Sequence, residues 1–203
     1  MQLSALFVSC IIGRMDLEQE EKLVERAKDS SEAFGELYDM YYDQIFRYAL
    51  RRSADIDLAN DVTSVVFFKA LKNIRKFEWQ GVPFSHWLYR IANREILDHY
   101  NKAKRETSYE IATDESNTAL QEEMVAAKSE LRKHDDYLDL QNCISRLSSK
   151  YQEVITLRYF EDKELKEIAE ILGKPEGTVK SLLHRGIEKL RKTLSRDEEE
   201  QRR

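Results

Sequence analysis

The sequence predicts an all-α protein of two small helical domains joined by an acidic linker, the C-terminal domain a helix-turn-helix. Three observations carry that prediction. The chain of 203 residues has only six Gly and two Pro, too few for the turns a sheet protein needs. Apolar residues recur at intervals of three and four along most of its length. Charge is segregated into blocks, although the net value is a mild −5. Residues 84–105 hold five Lys/Arg against two Asp/Glu, and residues 174–196 hold seven against two. Residues 106–136 hold nine acids against three bases. Two cationic segments are thus separated by an anionic connector.

Residues 1–14, MQLSALFVSCIIGR, read as an N-terminal extension and as a start site placed too early, with Met15 opening the first helix. The apolar run lacks a preceding basic residue and a clear cleavage site, and it is too short to span a membrane. Phe7-Val8-Ser9 is a poor approach to Cys10 for a lipoprotein signal. The expectation is a cytoplasmic chain with no stable membrane insertion.

Residues 15–105 form the first predicted domain. Leu23 and Ala27, then Phe34, Leu37, Tyr38, Tyr41 and Ile45, then Leu58, Val62, Val65 and Val66 mark three amphipathic helices. Cap-forming Asp and Ser residues near 29–31 and 53–57 separate them. A fourth helix follows Gly81-Val82-Pro83, because Pro suits a first turn and disfavours helix just before it. It runs to about Arg105. In the linker, 106–136, polar residues interrupt the first half, while Leu120, Met124, Ala127 and Leu131 space a short helix in the second. The second domain, 137–196, starts with Leu138, Ile144 and Leu147. Ser149-Lys150-Tyr151-Gln152 then has the pattern of a capping box. A charged tail, 197–203, ends the chain.

The strongest local signal is LKEIAEILGKPEGTVKSLLHRGIEKLR, residues 165–191. Ala169, Gly173 and Val179 stand at helix-turn-helix intervals: a small residue where the helices cross, a glycine for a left-handed turn, and a β-branched residue that packs the second helix on the first. Val179, Leu183 and Leu190 fall on the inner face of that second helix. Thr178, Lys180, Ser181, His184 and Arg185 point outward, where a major groove would lie. Lys174, Lys189, Arg191 and Lys192 are placed for phosphates, which give affinity and position rather than sequence information.

A second signal is the run of residues 77–90, FEWQGVPFSHWLYR, which places five Phe, Trp and Tyr beside Arg90, Arg94, Lys102, Lys104 and Arg105. Unpaired bases stack on aromatic faces while cations follow the phosphates, so this composition suits single-stranded nucleic acid. Phe84, Trp87, Leu88 and Ile91 share one helical face and read as core. Trp79, His86 and Tyr89 lie off that stripe and are the candidates for meeting bases.

Enzymatic function is not expected, because no Gly-rich phosphate loop, paired His or nucleophile with a partner at informative spacing occurs. Cys10 and Cys143 are too few and too distant for a zinc site or a disulfide framework. No metal or cofactor is expected.

Together the two halves resemble the sigma-70 family, in its compact extracytoplasmic-function branch with only the second and fourth sigma domains. The resemblance spans roughly residues 17–195. It is carried by Ala33-Phe34 with Leu37-Tyr38, by Asp61-Val62-Thr63 through Val66-Phe67 with Lys69-Ala70, by the run Phe84 to Ala92, and by Glu167-Ile168-Ala169 through Gly177 to Ser181.

The resemblance implies a non-catalytic role with core RNA polymerase and promoter DNA as partners and an anti-sigma factor as an optional third. It implies docking of helix 58–72 on the polymerase clamp coiled coil, through Asp61, Ser64, Val65, Phe68 and Lys69. It implies capture of the unpaired −10 element by segment 77–98, through Trp79, His86, Tyr89, Arg90, Asn93 and Arg94. The helix-turn-helix would read the −35 duplex. The chain departs from the family pattern at Ser64-Val65, where Gln-Glu is usual, at Leu182, where Arg is frequent, and at Arg94, where Asn is frequent. Two other readings remain: a self-standing helix-turn-helix regulator, and an adaptor that uses the aromatics on single-stranded RNA.

Overall fold

The computed structural model describes residues 15–107, 140 and 143–201, and every structural statement below concerns those residues. Their regular elements are α1 (Leu17–Ala27), α2 (Ser31–Ser53), α3 (Ile56–Asn73), a 3₁₀ turn (Ile74–Lys76), α4 (Phe84–Thr107), α5 (Ser149–Tyr159), α6 (Leu165–Leu172) and α7 (Glu176–Gln201). The described chain is therefore all-helical. No helix in it is long and apolar enough to cross a membrane. The N-terminal extension and the helix expected at 120–131 lie outside the described residues.

The helix boundaries follow local chemistry. Asp16, Ser30 and Asp55 cap α1, α2 and α3, each side chain accepting a backbone N–H three residues on. Ser30 and Asp55 fall in the two windows where the sequence places breaks. Ala54 ends α2 in the left-handed conformation, with its N–H bonded to the Leu50 carbonyl. Pro83 precedes α4 and accepts from the His86 N–H at 2.9 Å. The start expected for α5 is different. Ser149 and Gln152 make no capping box: Ser149 Oγ accepts from Arg52 across the molecule, and the buried Gln152 donates backward to the carbonyls of Ser145 and Leu147. The helix begins one residue earlier than that pattern requires: its N-cap is Ser148, whose side chain makes no cap bond.

The first four helices enclose Leu37, Ile45, Val66, Phe84, Leu88 and Ile96. Around α5, residues Tyr151 to Leu157 are buried without interruption, so that helix has no solvent face over two turns. It lies between α7 and α2, and α6 packs on α4. The buried apolar residues of both halves form one contiguous cluster. The halves are thus packed on each other as well as linked through the chain. The acidic run 197–200, expected in a tail, continues α7 to Gln201.

Gly186 sets how closely α7 approaches α5. A Cβ there would lie 3.1 Å from Ile155 Cδ1 and 3.3 Å from Tyr151 Cβ. Gly186→Leu should lower unfolding stability by about 1–3 kcal/mol through overpacking. Gly186→Ala should stay near wild type, since a gain in helix preference of about 1 kcal/mol offsets the crowding. Urea unfolding measures both, and an unchanged Gly186→Leu midpoint would contradict the close crossing.

Candidate nucleic-acid interface

The helix-turn-helix is formed by α6, the turn through Gly173, Lys174 and Pro175, and α7. Gly173 has φ 61° and ψ 36°, the left-handed geometry the sequence requires of it. Lys174 N–H closes the turn on the Ala169 carbonyl at 3.0 Å. Val179 is fully buried and Ala169 half-buried between the helices. Thr178, Lys180, Ser181, His184, Arg185 and Lys189 are all exposed on α7. Arg185 Nε donates to the Ser181 carbonyl at 3.2 Å, and the Lys189 ammonium lies 5.8 Å from the Tyr151 ring centroid, so each charged head has one contact within the domain while its side chain stays exposed.

Leu182, where the family frequently has Arg, is 7% exposed and belongs to the core with Val179. Lys174, assigned to phosphates, sits 3.5 Å from the carboxylate of Glu153, which is 3% exposed. Its ammonium balances a buried charge, which limits its freedom to follow a backbone phosphate.

The aromatic segment forms a second surface. Gly81, at φ 71°, turns the chain between the 3₁₀ element and α4. Phe77, Phe84 and Trp87 pin that loop to the helix, with ring centroids 4.7 to 5.4 Å apart. A cavity of about 290 Å³ opens beside them, lined by residues that include Lys76, Phe77, Gln80, His86, Trp87 and Arg90. The helical spacing of Trp87 predicts a core residue, yet it is half-buried and faces this cavity. Trp79 is half-buried against the core and is not among the cavity residues. Spacing alone cannot separate a side chain that covers the core from one that also borders a cleft.

The expectation that His86 and Tyr89 stand off the buried stripe needs correcting. Tyr89 is wholly buried between Tyr48 of α2 and the α5–α6 turn, and His86 is 2% exposed because α6 packs on that face of α4. Tyr89 donates its hydroxyl to Glu161 at 2.5 Å and accepts from Gln44 at 2.8 Å. Asn93, 9% exposed, accepts at 2.6 Å from the buried Arg52, which also donates to the Tyr48 hydroxyl at 3.0 Å. Arg90 and Arg94 are exposed, and Arg90 donates to the Glu170 carbonyl at 3.0 Å. In this arrangement a nucleic acid can reach Arg90, Arg94 and the cavity but not Tyr89 or Asn93.

On α3, Asp61, Ser64, Val65 and Phe68 are exposed, and Phe68 is 66% so. Leu71, one turn on, is 50% exposed. A row of apolar side chains therefore faces solvent on a helix whose other side is core, the signature of a docking face. Lys69 turns sideways and pairs with Glu95 at 2.6 Å, tying α3 to α4.

His86 lies 3.2 Å from Glu167 through Nε2, and its Nδ1 has no hydrogen-bond partner. Burial pushes its pKa below the ordinary 6.5, with Lys163 adding to the effect and Glu167 and Glu170 opposing it. For Glu167, burial would raise the carboxyl, but the Glu164 N–H, Lys163 and His86 together hold it below the usual range. The folded protein therefore prefers neutral His86, with Nε2–H donating to an ionised Glu167. The unfolded chain takes up that proton first as pH falls through 6.5, so stability present above that value is lost below it. Thermal melting from pH 7.5 to 5.5 should show this decline, and His86→Gln should flatten it. An equal decline in the variant would assign it to another group.

Residues 37–106 match the family described as sigma-70 region 2, and residues 137–190 match sigma-70 region 4. The chain is 34% identical over 186 residues to the ECF RNA polymerase sigma factor SigW of Bacillus subtilis, covering 89% of this chain and 98% of that protein. It is 34% identical over 177 residues to the ECF RNA polymerase sigma factor BldN of Streptomyces coelicolor, covering 87% of this chain and 66% of that one. Its fold is like that of CnrH, solved in complex with the cytosolic domain of CnrY, at TM-score 0.66 and 20% identity over 90% of this chain and 99% of that chain. A like fold occurs in RpoE of Bartonella quintana, solved with the anti-sigma factor NepR, at TM-score 0.60 and 21% identity over 80% of this chain and 96% of that chain. The protein belongs to the sigma-70 family, in its ECF group of RNA polymerase sigma factors.

Proposed function

We propose that the chain divides its work as a sigma factor among three surfaces: α3 docks on core RNA polymerase, the α4 region takes unpaired −10 bases, and α7 reads the −35 duplex. The observation that carries this reading is the presence in one chain of an exposed basic recognition face on α7 and an aromatic, cationic cavity at the start of α4. Duplex DNA is read by a helix in the major groove, whereas unpaired bases need stacking surfaces, so the two faces suit two states of one promoter. Residues 15–105 and 137–196 would be the two working domains, with 106–136 the connector and 197–203 the tail. The factor would act in the cytoplasm and without catalysis. Promoter −10 contacts would fall to Trp79, Arg90 and Arg94 first, to His86 once α6 has moved, and to Tyr89 and Asn93 only after a rearrangement that also involves α2. An anti-sigma factor is a further proposed partner, as one is named with RpoE of like fold. A self-standing regulator or an RNA adaptor would use only one of the two nucleic-acid faces, and neither is favoured.

Three substitutions separate the surfaces. Phe68→Asp should weaken binding to core polymerase by at least about 2 kcal/mol, the scale of a central apolar contact. Arg185→Ala should weaken −35 duplex binding by about 1–3 kcal/mol and leave core binding intact. Trp79→Ala should spare both and reduce promoter opening, with a loss of about 1–3 kcal/mol for a stacked base. Core pull-down, duplex titration and strand-opening assays read these three effects. Normal opening by Trp79→Ala would remove that residue from the single-strand surface, and normal core binding by Phe68→Asp would move the docking face elsewhere.

A further inference from the structure

From its N-terminal end, the solvent face of α3 runs acid, apolar, base. We propose that this face binds a second copy of the chain, α3 lying antiparallel on α3, and that the dimer so formed hides the surface that docks on core polymerase. The dimer stands on α3 alone. Its competition with polymerase rests on the docking reading given above.

At 3.6 residues per turn, Asp57, Asp61, Ser64, Phe68 and Lys72 fall within about 40° of one line along α3. All five are exposed. Val65 and Leu71, at 36% and 50% exposure, flank Phe68 at 66%. The two acids thus stand in the first two turns of the face, the base stands in the last, and the apolar residues lie between. Among the described residues, Asp57, Asp61 and Lys72 have no side-chain ion partner. Lys69, which projects about 100° off the line, is instead engaged within the chain by Glu95 at 2.6 Å. Acids at a helix start and bases at its end complement the macrodipole at any position around the axis. Their alignment on the one face that carries Phe68 is what calls for a partner.

A face with acid at one end and base at the other is complementary to its own reversed copy. With the two-fold axis between Val65 and Phe68, Asp61 of each copy lies opposite Lys72 of the other, and Val65 of each lies opposite Phe68 of the other. A parallel pair would set acid on acid and base on base. The two-fold contact uses the same patch on both copies, so it closes at two and does not grow into chains. One helix face of 18 residues on another stays below the roughly 1,200 Å² at which stable interfaces begin. The dimer is therefore weak, forming at micromolar concentrations and dissociating on dilution. By mass action, core polymerase that takes the monomer draws the dimer apart.

Sedimentation equilibrium of the full-length protein across the micromolar range tests the dimer. The variants are Phe68→Asp, Asp61→Lys, Lys72→Asp and the exchange that combines the last two. Wild type should sediment as monomer and dimer in equilibrium, and Phe68→Asp as monomer throughout. Each single reversal sets like charges together at both ends of the contact and should weaken the dimer about tenfold. The exchange should restore it to within about threefold of wild type. Thermal melts of the dilute monomers should coincide, which separates loss of pairing from loss of fold. A wild type that stays monomeric, or a dimer that survives Phe68→Asp, would overturn the proposal. An exchange as weak as the single reversals would overturn the antiparallel register. Core polymerase added to the wild-type dimer should bind one chain each, and two chains per polymerase would overturn the competition. Normal core binding by a monomeric Phe68→Asp would overturn docking on α3, and the competition with it, while leaving the dimer in place.

Discussion

The placement of α4 depends on a carboxylate inside the N-terminal half. Glu20, 4% exposed, accepts from the Tyr41 hydroxyl and, at 2.7 Å, from the backbone N–H of Phe84, the first residue of α4. One side chain of α1 thereby holds α2 and the start of α4 together. A carboxylate is favoured where a helix begins, since the first N–H groups have no intrahelical partner. With its start fixed, α4 presents Phe84 and Trp87 to the preceding loop, Glu95 to Lys69 of α3, and Tyr89 to Glu161. The cavity, the pairing with α3 and the contact between halves all involve the helix so placed.

That dependence gives the polar interior its logic. Arg52 is wholly buried, yet its bonds run to the neutral oxygens of Tyr48, Asn93 and Ser149. An isolated charge in such a place is costly unless every donor is engaged, and Arg52 Nε has no partner. Residual cost of this kind, with Glu161 and His86 nearby, collects at the junction of the halves and not in the apolar cores.

Much of this architecture is legible in the sequence, for identifiable reasons. Helix periodicity, the caps at Ser30 and Asp55, and the left-handed Gly173 are local features, and local chemistry decides them. The exposed face of α7 follows from spacing once Val179 is placed inside. What escapes the sequence depends on distant partners. His86 meets Glu167 more than seventy positions later, Tyr89 lies between Tyr48 of α2 and Glu161, and Ser149 bonds Arg52 from the first turn of α5, whose N-cap is Ser148. Periodicity reports that a face is polar or apolar, and it is silent on which other face will cover it.

A sigma factor gives core RNA polymerase the ability to open a promoter. Permanganate reactivity of thymines on a promoter that the chain selects from a library measures this directly. Thymines should become reactive only when the chain and core polymerase are both present, with neither opening the duplex alone. Tight duplex binding by the chain, with no thymine reactive after core polymerase is added, would contradict it.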